Sequence, residues 1–549
     1  MNQLVLKRSA TLLLLCIFFF FLGNNLAHLT DPDEVFYAQT AKEMASRHQC
    51  LTPYIFNQPQ FEKPPLTYWF IKLAFVMFGQ TSFAARFFPA VFASLGVLAV
   101  YILGLLGFGS QPKAFWSAFI LCTAGFYVGM GKTVFTDMIF AVFILYALLS
   151  FYLGVYNSAY KVKGIIAFYF FTALAVLTKG PLGLFIPLGI VVIFLLYRRQ
   201  LSLLTDRWFM VGFVFCLSIA LPWYVNMINQ YGQAFIHEFF YNDHWRRIIQ
   251  AEHKGNDHFF FYPLTMIGGM FPWSLFLIAA LVNLFKRLKW PVKPFEYFLL
   301  SWILVVFVIF QVAHSKLSSY ILPMFPALAL LTGNFIEEKL ETLEHSMIKK
   351  LSYVLIGFLV AFSIAPVAAY KAYRFYLPSL VPVYWLSASL LALAGISLTL
   401  LVKQRIRQAV MLLGFSLVPI LLTAFMVISS LEPHVSMYEA CLYVPSAAMH
   451  KTIILTSKPY ARGIRYYTDQ GVAVMDLNGT NYFSPHPIPI LNTKEKLLAF
   501  LKSQPETFAI LKQSHYEYLK ENYASDFQFR ILKVSGRNYV LKIASIKPS

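Results

Sequence analysis

Apolar runs long enough to cross a bilayer, parted by short polar stretches, fill the first 430 positions of the chain. A crossing helix takes roughly 20 such residues. The pattern predicts about thirteen spans, at 9–28, 86–107, 114–130, 134–155, 164–178, 181–197, 208–228, 262–285, 296–313, 319–335, 349–370, 378–402 and 408–429. The stretch 66–79, about 14 residues, is short for a crossing and suits a helix lying in the interface. With that stretch left out, six basic clusters fall on one side, which is then the cytoplasmic one. They are Lys7-Arg8, Lys161 with Lys163, Arg198-Arg199, Lys286-Arg287 with Lys289, Lys349-Lys350, and Lys403 with Arg405 and Arg407. The N-terminus is cytoplasmic in this reading, and loops 29–85 and 229–261 share the outer face with 132–137, 178–181 and 314–316.

After Ser430 the pattern changes to short alternating segments. Strands are expected at 452–456, 472–477, 508–511, 529–534 and 539–543, and helices at 460–468, 493–501 and 516–523, with Ser535-Gly536 turning the last two strands into a hairpin. The fold class is therefore a polytopic α-helical membrane protein, residues 1–430, with a C-terminal α/β domain, residues 431–549, on the outer, periplasmic side.

Composition narrows the class. A chain that is 58% hydrophobic and 13% charged is not a soluble enzyme. Its formal charge of +20 sits in the loop clusters rather than on a basic face with interleaved aromatics, which excludes a nucleic-acid binder. The run 9–28 follows Lys7-Arg8 like a secretory signal, but no small-residue cleavage site ends it, and it reads as a retained span. Cys16, Cys122 and Cys216 lie in apolar runs; Cys50 and Cys441 lie in polar ones, as two thiols or as a disulfide.

The polar residues of the outer loops carry the candidate chemistry. In Asp31-Pro32-Asp33-Glu34, Asp31 reads as an N-cap, Pro32 as the first helical residue and Glu34 as the closing member of a capping box. Asp33 is left over, and is the first choice for a functional acid. Lys63, held before Pro64-Pro65, suits a phosphate as a point charge. Asp137 follows Lys132 and could pair with it. Segment 235–258 holds His237, Glu238, Asp243, His244, Arg246, Arg247, Glu252, His253 and His258. Arg246 and Arg247 could grip a phosphate, and the acids and histidines a divalent ion, although a solvated amphipathic helix explains them as well. Ser315, Lys316 and Tyr320 stand at a turn between spans, placed for a sugar or a headgroup.

Taken together, Asp33-Glu34, Phe61-Glu62-Lys63-Pro64-Pro65, Thr136-Asp137, Thr178-Lys179-Gly180-Pro181, Pro222-Trp223-Tyr224 and the run from Ser315 to Pro323 resemble the GT-C glycosyltransferases that use polyprenyl-phosphate sugars. Within them the chain is most similar to the lipid A aminoarabinose transferases, relatives of the protein O-mannosyltransferases. The resemblance implies Asp33 and Asp137 as catalytic acids. It implies Lys63, Arg247 and Tyr320 at the donor phosphate and Tyr37 near the sugar; Glu34, Lys316 and Arg246 are the further substrate-binding residues expected from their place in the outer loops. Glu62 matches a position that helps hold a metal in a relative, and His244 is the histidine considered beside it. No cofactor is required; a divalent metal, zinc, is the one considered. Gln60 departs from the family where an aromatic residue is usual.

The expected activity is transfer of a sugar, 4-amino-4-deoxy-L-arabinose, from undecaprenyl phosphate to a lipid A phosphate in the bacterial inner membrane. The alternatives are a hexosyl (mannosyl) transferase acting on protein or an envelope glycan, and a lipid-linked substrate transporter. A transporter would show charged or broken helices at the bilayer midplane, whereas the polar clusters here gather at one surface.

Overall fold

The computed structural model describes residues 3–252, 254–287, 292–342, 345–377, 379–445, 452–477 and 488–546; His253 and Lys289 lie outside them. Nine helices among the described residues are long and apolar enough to cross a membrane. Two bent pairs, Gln111–Thr123 with Gly125–Gly131 (63°) and Phe261–Gly269 with Ser274–Lys286 (115°), raise this to eleven if each pair is one span. The expected count of thirteen is not reached by length and composition. Two of the expected runs account for the difference. Run 9–28 is an α-helix, Gln3–Cys16, that passes into a π-helical turn at Ile17–Phe21 and ends there, with Leu22 extended and Gly23 at φ +82°. Run 181–197 is Leu182–Arg198, 17 residues, cut short by Gly180 at φ +102° and Pro181.

The chain divides into two compact units. The first comprises Met1–Asn24, Glu62–Thr67 and Arg86–Met426. Burial ranks its helices: Thr136–Tyr156 and Ser318–Glu341 are 83% buried, against 28% for His345–Tyr370 and Val381–Val402. The inner helices are thus the two that begin near Asp137 and at Ser318-Ser319-Tyr320. Close backbone packing against Thr136–Tyr156 depends on Gly164, where a Cβ would stand 2.6 Å from the carbonyl oxygen of Ser150.

The second unit comprises Asn25–Phe61, Tyr68–Ala85 and Val427–Ser549, so most of segment 29–85 groups with the C-terminal chain. Its sheet has six strands, in the spatial order Ile490–Leu491, Gly471–Met475, Ile453–Ser457, Glu506–Lys512, Asn538–Ser545 and Phe527–Ser535. The first four run parallel and the last two form the expected hairpin, closed by Gly536 at φ +61°. The two-residue strand Ile490–Leu491 is too short to show as an alternation. Leucines and aromatics of the sheet pack against helices Lys494–Lys502 and Gln513–Tyr523, giving the α/β domain one core. Cys50 is exposed, Cys441 is buried, and both are free thiols.

Helix Asp33–Ser46 belongs to this unit and begins one residue later than expected, with Pro32 rather than Asp31 at the cap position. Glu34 accepts from both the backbone N–H and the hydroxyl of Thr30, at 3.0 Å each. Asp31 is therefore not the cap: its Oδ2 accepts from the Met437 N–H at 3.0 Å, and its carboxylate lies against Gly463, where a Cβ would meet Oδ1 at 2.1 Å. Lys42 pairs with Asp469 at 2.8 Å and Arg465 with Glu43 at 3.5 Å, so helices Asp33–Ser46 and Ala461–Thr468 are clamped side by side.

Burial pushes the Asp31 carboxyl up to about 8, against the pull of the Met437 and Gly463 N–H groups and the charge of Arg462. A carboxyl raised in the folded state binds more protons folded than unfolded, so stability falls as pH rises from the ordinary value near 4 toward 8. Melting of the purified protein should drop by about 3 °C or more between pH 5 and pH 8. In Asp31→Asn that part of the slope should vanish, and an unchanged slope would count against a buried neutral Asp31.

Candidate active site

The first unit encloses a cavity of about 130 Å³ lined by Lys63, Lys179, Asp243, His244, Arg247, Ser315 and Tyr320, with Leu182, Ile309 and Phe310 as an apolar wall. Each polar member is placed by a local break in the chain. Lys63 precedes two prolines that hold the backbone extended before helix Leu66–Phe78. Lys179 is the last residue of Lys161–Lys179, which stops at Gly180, and a Cβ on that glycine would stand 2.7 Å from His244 Nε2. Asp243 and Arg247 lie four residues apart where the π-helix Ile236–Trp245 tightens into Arg246–Ile249. Tyr320 sits in the 3-10 turn Ser318–Met324. Two backbone hydrogen bonds, Ser315 N–H to Arg247 oxygen (3.0 Å) and His314 N–H to Ile248 oxygen (3.1 Å), tie the two segments together.

Asp243 is the hub. Its Oδ2 accepts from Lys63 Nζ at 2.6 Å, and Arg247 Nη2 stands 3.1 Å from its Oδ1. Burial alone would raise the Asp243 carboxyl, but the charges of Arg247 and Lys63 outweigh it and hold the group well below the usual carboxylate range. Arg247 also donates to Tyr320 Oη at 2.9 Å, and Lys179 lies 4.3 Å over the Tyr320 ring while pairing with Asp137. Burial opposes the Arg247 charge as well, and Asp243, Tyr320 and Glu252 more than restore it. His244 is pushed down by burial, with Asp243 opposing, and its Nδ1 lies 2.6 Å from the Phe239 carbonyl oxygen. Two buried donors, Ser315 Oγ and Arg247 Nε, have no hydrogen-bond partner among the described residues. Three cations, a phenol and two open donors around a small cavity form a receptor for a compact anion such as a phosphate.

Several expected residues are placed otherwise. Arg246, one residue along the helix from Arg247, turns away and donates to Gln250 at 3.1 Å. Lys316 is buried, pairs with Asp257 at 2.7 Å and donates to the Ala313 carbonyl, so neither it nor Arg246 lines the cavity. The partner of Asp137 is Lys179, because Lys132 bonds Asn24 Oδ1 at 2.9 Å. Asp33, Glu34 and Tyr37 lie in the second unit: Asp33 is exposed on the first turn of its helix, while Tyr37 is buried with its ring 6.1 Å from that of Tyr68. The residues proposed for a metal do not fit one. No group of three or more His, Cys, Asp or Glu side chains suited to an ion occurs among the described residues. Asp243, the acid next to His244, is already held by Lys63 and Arg247. The solvated-helix reading of 235–258 fails for the same residue, which is 6% exposed. Sequence reasoning passed over Asp243 and Lys179 as site residues; the Asp243-to-Arg247 spacing of four on a helix was the available signal.

Fold and cavity together describe a polytopic membrane protein with a cation-lined cavity beside an apolar wall. Residues 8–236 match the family described as dolichyl-phosphate-mannose-protein mannosyltransferase. More particularly, the chain resembles the aminoarabinose transferases. The undecaprenyl phosphate-alpha-4-amino-4-deoxy-L-arabinose arabinosyl transferase of Aeromonas hydrophila is 29% identical over 57% of each chain. An uncharacterized protein of Aquifex aeolicus is also 29% identical, over 59% of this chain and 62% of its own. These matches thus span about three fifths of the relatives' length. The crystal structure of ArnT from Cupriavidus metallidurans bound to undecaprenyl phosphate superposes with a TM-score of 0.77 at 20% identity, covering 98% of both chains.

Proposed function

We propose that the protein transfers 4-amino-4-deoxy-L-arabinose from undecaprenyl phosphate to a phosphate of lipid A, on the periplasmic face of the bacterial inner membrane. The N-terminus is then cytoplasmic and the C-terminal domain periplasmic. The observation that carries this is the anion-receiving cavity of Lys63, Lys179, Arg247 and Tyr320, set against an apolar wall in a fold shared with a protein solved with undecaprenyl phosphate. A lipid phosphate presents this pairing of an anion and a prenyl chain.

In this reading the carrier leaves as a phosphate monoester, and the chief task is to stabilise the charge growing on its oxygens. Fixed cations in a water-poor site do this without reorganising during the reaction. Lys63 and Arg247 hold the phosphate, Tyr320 and Ser315 supply hydroxyls, and Asp137 holds Lys179 in place. The acceptor phosphate is already anionic at neutral pH and needs no general base. Asp33 then orients the donor sugar or meets its amine. Asp33→Asn should lower kcat by about 10²-fold or more while binding of undecaprenyl phosphate is retained. Full turnover of that variant in purified lipid would remove Asp33 from the mechanism.

The mannosyltransferase family match over residues 8–236 favours a second reading, transfer of a hexose to protein or another envelope glycan. Incubating the purified enzyme with defined undecaprenyl-phosphate sugars and lipid A separates the two. An aminopentose mass gain on lipid A supports the first reading, and its absence alongside hexose transfer supports the second.

A further inference from the structure

A second pocket, of about 460 Å³, lies wholly within the second unit. Its walls are aromatic: Tyr438 stacks on His28 with ring centroids 3.3 Å apart, Tyr467 meets Tyr438 edge-on at 5.4 Å, and Lys42 Nζ lies 5.4 Å over the Tyr466 ring. Gln80 and Thr81 form part of its lining. Lys42 is the one lysine or arginine in the lining and pairs with Asp469 at 2.8 Å, so the pocket lacks the cluster of cations that converges on the first cavity. Aromatic faces flanked by a balanced ion pair, an amide and a hydroxyl suit a sugar ring, whose C–H face packs on the rings while its hydroxyls bond the polar groups.

The pocket's place in the chain says where that sugar comes from. Gln80 follows almost directly on helix Leu66–Phe78, whose last turns expose Val76 (78%), Met77 (53%) and Phe78 (39%). An outward apolar face on so short a helix marks the lipid interface. Interfacial tyrosines on membrane spans are common without any ligand, but Tyr466 and Tyr467 are carried by helix Ala461–Thr468 of the α/β domain.

We propose that this pocket receives the sugar headgroup of a membrane-borne glycolipid, the acceptor of the transfer. The acceptor's identity rests on the transferase reading, whereas headgroup binding can be measured without it. Gln80→Trp, at an exposed position, blocks the pocket, and Lys42→Met removes its cation. With full-length protein in nanodiscs, both variants should weaken binding of lipid A by about tenfold. Both should leave undecaprenyl phosphate binding unchanged and raise the acceptor KM while kcat is retained, and Gln80→Trp should also leave melting unchanged. Unaltered lipid A binding by Gln80→Trp would overturn the proposal. So would equal competition by phosphatidylglycerol, which has the phosphate and no sugar. If Gln80→Trp weakens lipid A binding while the wild type transfers no aminopentose, the pocket stands and the transferase reading falls.

Discussion

Arg247→Ala should cut kcat/KM for the lipid-phosphate sugar by 10²- to 10³-fold, about the cost of removing one preorganised donor to a developing oxyanion. Arg247 donates to Tyr320 at 2.9 Å and stands 3.1 Å from Asp243, so its fork is fixed before any substrate arrives. The loss should fall on kcat as well as KM, because the charge on the departing phosphate is larger in the transition state than in the bound donor. Arg247→Lys should recover only part of it, since an ammonium keeps the charge but cannot reach Tyr320, Asp243 and a phosphate in one plane. Single-turnover kinetics with undecaprenyl-phosphate sugar checks both variants. A raised KM with kcat untouched would reduce Arg247 to a ground-state contact.

Asp243→Asn should be the most destabilising single change at the site. Asp243 is a buried carboxylate between Lys63 and Arg247, and removing one member of a buried ion cluster typically costs about 3–5 kcal/mol, because the remaining charges stay buried without a counterion. The sign of its pH dependence follows from its depressed titration. The folded group stays ionised where the unfolded one, near 4, has begun to protonate, so its contribution is present above about pH 4 and is lost as pH falls further. Wild-type protein should lose stability steeply in acid, and Asp243→Asn should start lower and show a shallower acid slope. Equal melting at neutral pH would show that Lys63 and Arg247 do not depend on this carboxylate.

These residues also mark how far one sequence can be read. The run 136–156 announces a buried helix by its unbroken apolar character, and the alternation after Ser430 announces strands, because burial imposes a period on a short window of chain. Lys63 was legible since Pro64-Pro65 leaves its backbone few conformations, and Arg247 since a basic pair between spans is conspicuous. Glu62 suggested a metal by its match to a position in a relative and His244 by residue type, but ion binding needs several ligands converging at one point, which spacing along a chain does not report. Arg246 and Lys316 looked as suitable as their neighbours, and a rotation of one residue on a helix or one nearby aspartate diverts them.

The order of apolar and polar runs by itself determined that this is a many-helix membrane protein with an α/β domain after residue 430, because solvent sorts side chains locally wherever a helix or strand meets lipid or water. Only the tertiary structure decided that Asp243 gathers Lys63 and Arg247, that Lys179 rather than Lys132 takes Asp137, and that Asp31 packs on Gly463. Those pairings join positions between 42 and 432 residues apart or choose among equivalent charges on one helix, and only packing of the whole chain selects the partner.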